Sequence, residues 1–194
     1  MNHFFALKLS KEAEQTVCQS AEEWHGLVTE AKWYEPEDYH ITLKFLGNID
    51  GAKQPGLIEA ANQVAAETLP VTISAASYGG FPDMRAPSVL WAGILISPEL
   101  DRLASHLDQA MAGLGFRADH RKYQPHITVA RCRLGNKASQ KRPLPSERLF
   151  APFIVDQFVL MQTSLTGERA NGPKARYNIV HTFPFGNAHS SDVS

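Results

Sequence analysis

The tripeptide His-Ile-Thr occurs twice in this chain, at residues 40–42 and again 86 residues later at 126–128. Both copies lie in short runs rich in apolar and β-branched residues, which favour β-strands. Because side chains alternate between the two faces of a strand, the histidine and the threonine of one copy point to the same face. Each copy therefore offers an imidazole beside a hydroxyl, with apolar residues on the opposite face.

Two facing imidazoles suit acid–base chemistry near neutral pH, because the unperturbed pKa of histidine lies close to that range. One ring can act as a neutral base while the other acts as a protonated acid. This pairing suits an in-line displacement at phosphorus, in which the attacking and leaving oxygens lie on opposite sides. The hydroxyls of Thr42 and Thr128 can donate hydrogen bonds to the non-bridging phosphate oxygens.

A metal site is the competing interpretation of paired histidines. Zinc and iron sites usually add carboxylate or thiolate ligands. Neither histidine has such a group beside it on the same strand face, except for Cys132, six residues after His126. We therefore expect no metal and no cofactor. Taken alone, each histidine would be interpreted as a hydrogen-bonded sheet residue, so the functional interpretation depends on the pair.

The elements around the two copies repeat in one order: strand, serine N-cap, helix, polar lead-in and His-Ile-Thr strand. Ser10 precedes His40 by 30 residues, and Ser97 precedes His126 by 29. A period of 86 residues is too long for a solenoid and indicates two similar lobes. Two related sheets about a pseudo-two-fold axis, or lining a cleft, would bring position 40 opposite position 126.

The remaining pattern predicts helices over about 10–28, 55–68 and 97–113. It predicts further strands over about 4–9, 71–77, 89–96, 153–165 and 177–185. Turn residues indicate loops over 78–87, 133–150 and 166–176. We expect residues 1–185 to form a single domain of two lobes, and the polar tail 186–194 to be flexible.

Composition places the chain among ordinary globular proteins, with 43% hydrophobic and 20% charged residues. No apolar run approaches the ~18 residues of a membrane span, and the N-terminus does not resemble a signal peptide. The two cysteines, Cys18 and Cys132, match no metal-binding spacing. We expect a cytoplasmic monomer that binds no membrane.

The net charge of −1 hides an uneven distribution. Residues 1–97 contain 6 basic and 12 acidic side chains, whereas residues 98–194 contain 13 and 8. The window 117–148 holds nine basic residues and only two acidic ones. Such a window either attracts phosphates or forms a solvated loop that aids solubility.

At these residues the chain resembles the 2H phosphoesterase superfamily, which has two His-x-Thr motifs, and within it the RNA 2′,3′-cyclic phosphodiesterase family, also called 2′-5′ RNA ligases. The similarity includes residues 33–36 before the first motif, 81–82, Arg85 and 89–91 in the middle, and 125–131 around the second. Residues 158–160, Ser164 and Tyr177 resemble the C-terminal strands of the family. The resemblance covers about residues 1–185.

The resemblance implies an α+β fold of two lobes, with duplicated antiparallel sheets and outer helices around a central cleft. It implies metal-independent hydrolysis of a terminal 2′,3′-cyclic phosphate on RNA, or of a cyclic nucleotide, to a 2′-phosphomonoester. His40 would be the proton donor, His126 the proton acceptor, and Thr42 and Thr128 the phosphate-binding residues. The reverse reaction, with a 5′-hydroxyl as nucleophile, would join RNA through a 2′-5′ linkage.

Lys44 and Arg131 are candidate substrate contacts, although strict alternation places Arg131 on the face away from His126. The basic loops at 133–150 and 167–176 are candidates for gripping an RNA strand. Two alternative functions stay open: a 2H phosphodiesterase of other specificity, such as for 2′-5′ oligoadenylate, and a non-catalytic RNA- or nucleotide-binding protein.

Overall fold

The computed structural model shows helices packed on antiparallel strands, and it describes residues 1–25, 28, 31–83, 86–132, 150–163 and 177–186. The helices are α1 (Lys11–His25), α2 (Gln54–Ala66) and α3 (Pro98–Gly113). The strands are β1 (Asn2–Lys8), β2 (Ala31–Trp33), β3 (His40–Asn48), β4 (Val71–Ile73), β5 (Ala75–Phe81), β6 (Val89–Ile94), β7 (His126–Cys132), β8 (Phe153–Val155), β9 (Gln157–Thr163) and β10 (Tyr177–Pro184). Across these ranges, no helix is both long enough and apolar enough to cross a bilayer.

Eight strands form one antiparallel sheet in the order β10-β9-β1-β3-β7-β6-β5, with β2 also paired to β7. Strands β4 and β8 form a separate two-stranded sheet. The two His-Ile-Thr strands, β3 and β7, are neighbours, but they share a single paired position, Ile41 opposite Ile127. The duplication is visible in the sheet, because β1 beside β3 corresponds to β6 beside β7. The predicted α+β antiparallel fold class is confirmed.

The two faces of the large sheet have different neighbours. On β1, Phe5 and Leu7 belong to the main core, which the helices complete with residues such as Val17, Leu57 and Leu107. The alternate residues of β1, Phe4 and Ala6, belong instead to a small second cluster with Val159 and Met161. Since both isoleucines of the β3–β7 pair are fully buried in the main core, the neighbouring histidines face the second cluster.

Both predicted serine caps are confirmed. The Ser10 hydroxyl accepts a hydrogen bond from the Ala13 amide, and the Ser97 hydroxyl accepts one from the Leu100 amide, each at 3.2 Å. Each cap satisfies one of the amides that the first turn of a helix leaves without a partner. Helices α2 and α3 follow the prediction closely, and α1 follows it from Lys11 to His25, beyond which residues 26–27 of the predicted helix lie outside the described residues.

Several predicted elements differ from the structure. The strand predicted at 71–77 is divided into β4 and β5, and the strand predicted at 153–165 is divided into β8 and β9. The loop predicted at 78–87 begins as strand, because β5 continues to Phe81 alongside β6. Gly79 of β5 makes this pairing possible, because a Cβ at this position would lie 2.2 Å from the Trp91 ring of β6. Strand β2 was not predicted. The loops predicted at 133–150 and 166–176 and the tail lie outside the described residues, except for Phe150 and Gly186.

Strand β3 has a β-bulge directly after the threonine of its motif. Thr42 pairs with Ala6, and Lys44 pairs with the adjacent Phe5, so Leu43 is the extra residue. Paired residues of an antiparallel sheet point to the same face. Because Phe5 faces the main core, Lys44 also faces that core rather than the face of Thr42.

Strand β7 has the same bulge at the equivalent position. Thr128 pairs with Trp91, and Ala130 pairs with the adjacent Leu90, so Val129 is the extra residue. Beyond each bulge the alternation is reversed. The residue two positions after each threonine, Lys44 or Ala130, is therefore buried, and the residue after it, Phe45 or Arg131, emerges on the face of the histidines.

The buried Lys44 is held by an ion-pair cluster. Its ammonium donates to Asp108 at 2.5 Å, to Asp119 at 2.9 Å and to the Arg117 carbonyl at 2.7 Å. Burial by itself would lower the pKa of Lys44, but the two carboxylates outweigh this effect and raise it. The side chain is only 1% exposed and faces away from the histidines, so the structure contradicts the substrate contact predicted for Lys44.

We expect Lys44→Ala to lower the free energy of unfolding by roughly 2–4 kcal/mol, because it truncates a buried side chain and leaves two carboxylates without their cation. Denaturant unfolding of the variant and the wild type measures this loss. Lys32→Ala is the matched control, since Lys32 is exposed on β2, and it should change stability by less than ~0.5 kcal/mol. Equal stability losses in the two variants would contradict the role of the cluster.

Candidate active site

The single paired position between β3 and β7 brings the two motifs together. Extending its register by one residue in each direction places His40 across from Thr128 and Thr42 across from His126. All four side chains belong to the same face, because each lies one residue from the buried isoleucine pair. The predicted meeting of the two copies is therefore present in the structure.

Both imidazoles make the same hydrogen bond to the backbone. The Nδ1 atom of His40 donates to the Asp38 carbonyl, and that of His126 donates to the Gln124 carbonyl, each at 2.7 Å. A carbonyl oxygen can only accept, so Nδ1 must carry the hydrogen in both rings. Each neutral ring therefore has its Nε2 lone pair available to accept or, once protonated, to return a proton.

His40 is the more enclosed histidine, with 9% of its surface exposed. Its ring lies against Phe4 and Tyr177, with centroid separations of 4.9 and 4.8 Å. Burial lowers the pKa of His40 to about 4, and the positive charges of Lys8 and His126 act in the same direction. The hydrogen bond to the Asp38 carbonyl opposes this shift without cancelling it.

His126 is half-buried between a second pair of aromatic rings. The Phe81 ring lies edge-on at 5.2 Å, and the Trp91 ring lies at 6.2 Å, between centroids. Burial lowers the pKa of His126, against the opposing hydrogen bond to the Gln124 carbonyl. Each histidine is thus flanked by two aromatic side chains, and both are neutral at pH 7.

Arg131 lies on the face of the histidines, so the prediction that it points away from His126 is wrong. The bulge at Val129 is the reason, since it reverses the alternation on which that prediction depended. The Nε atom of Arg131 donates to the Tyr34 hydroxyl at 3.1 Å, and the Tyr177 hydroxyl donates to the same oxygen at 3.3 Å. Tyr34 therefore connects the Arg131 guanidinium to Tyr177, whose ring covers His40.

The two threonines are half-buried on this face. The Thr42 carbonyl accepts a hydrogen bond from the Tyr123 hydroxyl at 3.0 Å, which ties β3 to the segment before β7. Cys132 is half-buried, and burial raises the pKa of its thiol. Within the described ranges, no group of three or more His, Cys, Asp or Glu side chains could hold a metal ion.

Sequence reasoning did not assign roles to the four aromatic residues that flank the histidines (Phe4, Phe81, Trp91 and Tyr177) or to Tyr34, which bonds Arg131 and Tyr177. Four of these five residues, all but Phe4, lie in the segments that carry the family resemblance, and that is the signal by which they could have been found. The carbonyls of Asp38 and Gln124 left no signal, because any residue type supplies the same backbone oxygen.

The chain belongs to the 2′-5′ RNA ligase superfamily, whose sequence model matches residues 13–167. A Geobacillus stearothermophilus protein named RNA 2′,3′-cyclic phosphodiesterase is 33% identical over 184 residues, covering 94% of this chain. The chain spans only 57% of that relative's length. Proteins of the same name from Bacillus subtilis and Archaeoglobus fulgidus are 31% and 34% identical, covering 84% and 86% of this chain and 88% and 93% of their own lengths.

Solved structures show the same fold at lower sequence identity. The Thermus thermophilus protein TT0787 aligns with a TM-score of 0.79 and 22% identity, over 97% of this chain and 100% of its own. Escherichia coli LigT, crystallised with 3′-AMP, aligns with a TM-score of 0.75 and 23% identity, over 95% of this chain and 97% of its own. At these identities, the likeness is evidence for the fold.

We expect both site histidines to titrate below pH 6.5, with His40 near pH 4, because burial penalises their charged forms. As the pH falls, the unfolded chain therefore protonates these two histidines near the unperturbed pKa of 6.5, whereas the folded protein protonates them only at lower pH. Two-dimensional NMR of the imidazole nitrogens measures the pKa and the tautomer, with His40→Ala and His126→Ala assigning the signals. A His40 pKa at or above 6.5, or a neutral ring protonated on Nε2, would contradict this description.

Proposed function

We propose that this protein hydrolyses the terminal 2′,3′-cyclic phosphate of RNA, or of a cyclic nucleotide, to a 2′-phosphomonoester. The observation that carries the proposal is the pair of imidazoles on one sheet face, each with its Nδ1 bound to a carbonyl and its Nε2 available. Relatives named RNA 2′,3′-cyclic phosphodiesterase, two of them similar over more than four-fifths of both chains, support this substrate class.

The reaction is an in-line displacement at phosphorus. One imidazole removes a proton from water as the water oxygen bonds to phosphorus. The bond from phosphorus to the 3′ oxygen breaks, and the other imidazole donates its proton to that oxygen. The products are a 2′-phosphomonoester and a free 3′-hydroxyl. The near-symmetric placement of the two rings suits this reaction, because the attacking and leaving oxygens lie on opposite sides of the phosphorus.

The charge on the phosphate needs donors beside the two rings. Thr42 and Thr128 are the proposed donors to the non-bridging oxygens, since each lies across the strand pair from a histidine. Arg131 is the proposed cation near the phosphate. Its guanidinium is exposed on the same face and is oriented by the Tyr34 hydroxyl.

The family resemblance assigns proton donation to His40 and proton acceptance to His126, and we propose the same roles. Burial by itself makes His40 hard to protonate. A cyclic phosphodiester has one negative charge, and a charge placed between the rings favours their protonated forms. Binding of the substrate thus raises the pKa of His40 toward the value that an acid needs. Enclosure by Phe4 and Tyr177 would then keep water away from the leaving oxygen.

The same residues can run this displacement with a nucleophile other than water. A 5′-hydroxyl of a second RNA would replace water at the position of the nucleophile, and the product would be a 2′-5′ phosphodiester. We propose that residues 1–185 act as one domain of two lobes, in a cytoplasmic monomer. The two free thiols, Cys18 and Cys132, fit a reducing compartment.

We expect wild-type protein to convert a cyclic-ended RNA to a 2′-phosphate end with undiminished activity in EDTA, because no step uses a metal. His40→Ala and His126→Ala should each lower kcat by about 10²–10⁴-fold, the usual contribution of general acid or base catalysis. Product analysis by phosphorus NMR identifies the position of the phosphate. Binding of the cyclic-ended RNA without turnover would support the non-catalytic alternative, and loss of activity in EDTA would support a metal site.

Replacing the bridging 3′ oxygen of the substrate with sulfur separates the roles of the two histidines. A thiolate leaves without general acid assistance, so the substrate should restore most of the activity of the variant that lacks the acid. We expect rescue of His40→Ala and little rescue of His126→Ala, measured as kcat/KM on the sulfur and oxygen substrates. The opposite pattern would exchange the two assigned roles.

A further inference from the structure

Lys8 lies directly beside His40 in the large sheet. It is the last residue of β1, and it is paired with His40, the first residue of β3. Paired residues of an antiparallel sheet point to the same face, so the Lys8 side chain begins next to the enclosed imidazole. The positive charge of Lys8 acts on that ring and disfavours its protonated form.

The Lys8 ammonium binds the backbone on both sides of the carbonyl that orients His40. It donates to the Glu37 carbonyl at 2.7 Å and to the Tyr39 carbonyl at 2.8 Å. Between these two lies the Asp38 carbonyl, which accepts the hydrogen bond from His40 Nδ1. Because each peptide group is planar, fixing the groups on both sides restricts the rotation of the one between them.

The backbone that Lys8 binds is a short turn between β2 and β3. Residues Pro36–Asp38 form a single turn of 3₁₀ helix. The hydrogen bonds of such a turn have poorer geometry than those of an α-helix. Contacts from outside the turn therefore contribute to its rigidity, and Lys8 provides two of them.

Lys8 is itself held in place by α1. The carboxylate of Glu14, whose side chain is only 5% exposed, lies 3.7 Å from the Lys8 ammonium, and Lys11 binds its other oxygen at 2.6 Å. Burial lowers the pKa of Lys8, and the charges of Glu14 and Asp38 oppose that shift. The ammonium thus contacts two carbonyls and a carboxylate, so any effect of Lys8 on catalysis passes through His40.

The second half of the sheet anchors its histidine differently. Gly93 of β6 takes the position of Lys8 in the sheet register, so no side chain is available there. Instead the Ile94 amide donates to the Pro125 carbonyl, directly before His126, at 3.0 Å. A backbone bond thus anchors this segment, whereas a side chain anchors the equivalent segment of the first half.

We propose that Lys8 is a positioning residue for the acid of the reaction, because it fixes the turn whose Asp38 carbonyl orients His40. This inference rests on the proposed function, in which His40 protonates the leaving 3′ oxygen. Since Lys8 acts on one imidazole, its loss should impair proton donation by His40 and spare proton removal by His126.

The first test compares the oxygen substrate with the substrate whose bridging 3′ oxygen is sulfur. Lys8→Met keeps the length of the side chain and removes its donors. We expect it to lower kcat about 10–100-fold on the oxygen substrate at a similar KM, since a small misplacement of a reacting group can cost that much. On the sulfur substrate the loss should be less than about twofold, because a thiolate leaves without a proton donor.

Two further variants control this comparison. Lys8→Arg keeps the charge and the donors, so it should restore most of the activity on the oxygen substrate. Lys11→Met removes a cation that binds the same Glu14 carboxylate and is exposed, and it should leave both activities unchanged. Thermal melting checks that each variant is folded. If Lys8→Met does not fold, Lys8→Gln, whose side chain is one atom shorter and uncharged, replaces it with the same expected pattern.

The second test needs no substrate. NMR of the imidazole Nδ1 protons measures their exchange with water, which is slow while the hydrogen bond to the carbonyl persists. We expect Lys8→Met to speed exchange of the His40 proton about tenfold. Exchange of the His126 proton should stay unchanged, because a backbone bond holds the segment before it.

The outcomes separate the positioning role from the proposed function. If sulfur rescues His40→Ala but not Lys8→Met, or if exchange of the His40 proton is unchanged in Lys8→Met, the positioning role is overturned and the hydrolase proposal stands. If the wild type hydrolyses neither substrate while Lys8→Met still speeds exchange at His40 alone, the proposed function is overturned and Lys8 stands as the anchor of the His40 acceptor.

Discussion

A single pair of strand residues, Ile41 opposite Ile127, joins the two halves of the large sheet. Both side chains are fully buried in the main core, so apolar packing against the helices holds this contact. The histidines and threonines one residue away must then lie on the opposite face of the sheet. Because the strands separate on either side of this pair, space for a ligand opens beside the site. The arrangement of the proposed active site therefore depends on one buried contact between two short strands.

The backbone supplies the next constraint. Each imidazole is oriented by a carbonyl two residues earlier in the chain, which selects one tautomer and directs Nε2 away from the strand. The aromatic neighbours then make the rings different, since His40 is enclosed by Phe4 and Tyr177 while His126 is more open. Duplication thus provides two similar groups, and unequal burial gives them different surroundings.

The two bulges decide which residues beyond the motifs reach the site. Each inserts one residue after a threonine, so the fourth residue after each histidine is buried and the fifth emerges beside it. Lys44 consequently became part of a core ion cluster, and Arg131 and Phe45 reached the face of the histidines. A bulge has no clear signature in residues such as Leu43 and Val129, which suit a regular strand equally well. Strict alternation therefore gave the wrong face for Arg131.

The local sequence pattern was sufficient to predict much of the secondary structure of this protein. The repeated His-Ile-Thr, the serine caps of α1 and α3 and the apolar alternation of β1 and β7 depend on neighbours in the sequence, so most of the helices and strands, and the position of both motifs on strands, could be predicted. Tertiary structure alone decided the partners of Lys44, the position of Arg131 through Tyr34 and Tyr177, and the contacts of Lys8 with the backbone before His40. Those features join residues up to 143 positions apart in the chain, as in the contact of Tyr34 with Tyr177. They depend on which strands pair and where a bulge falls, and both are settled only when the whole sheet packs.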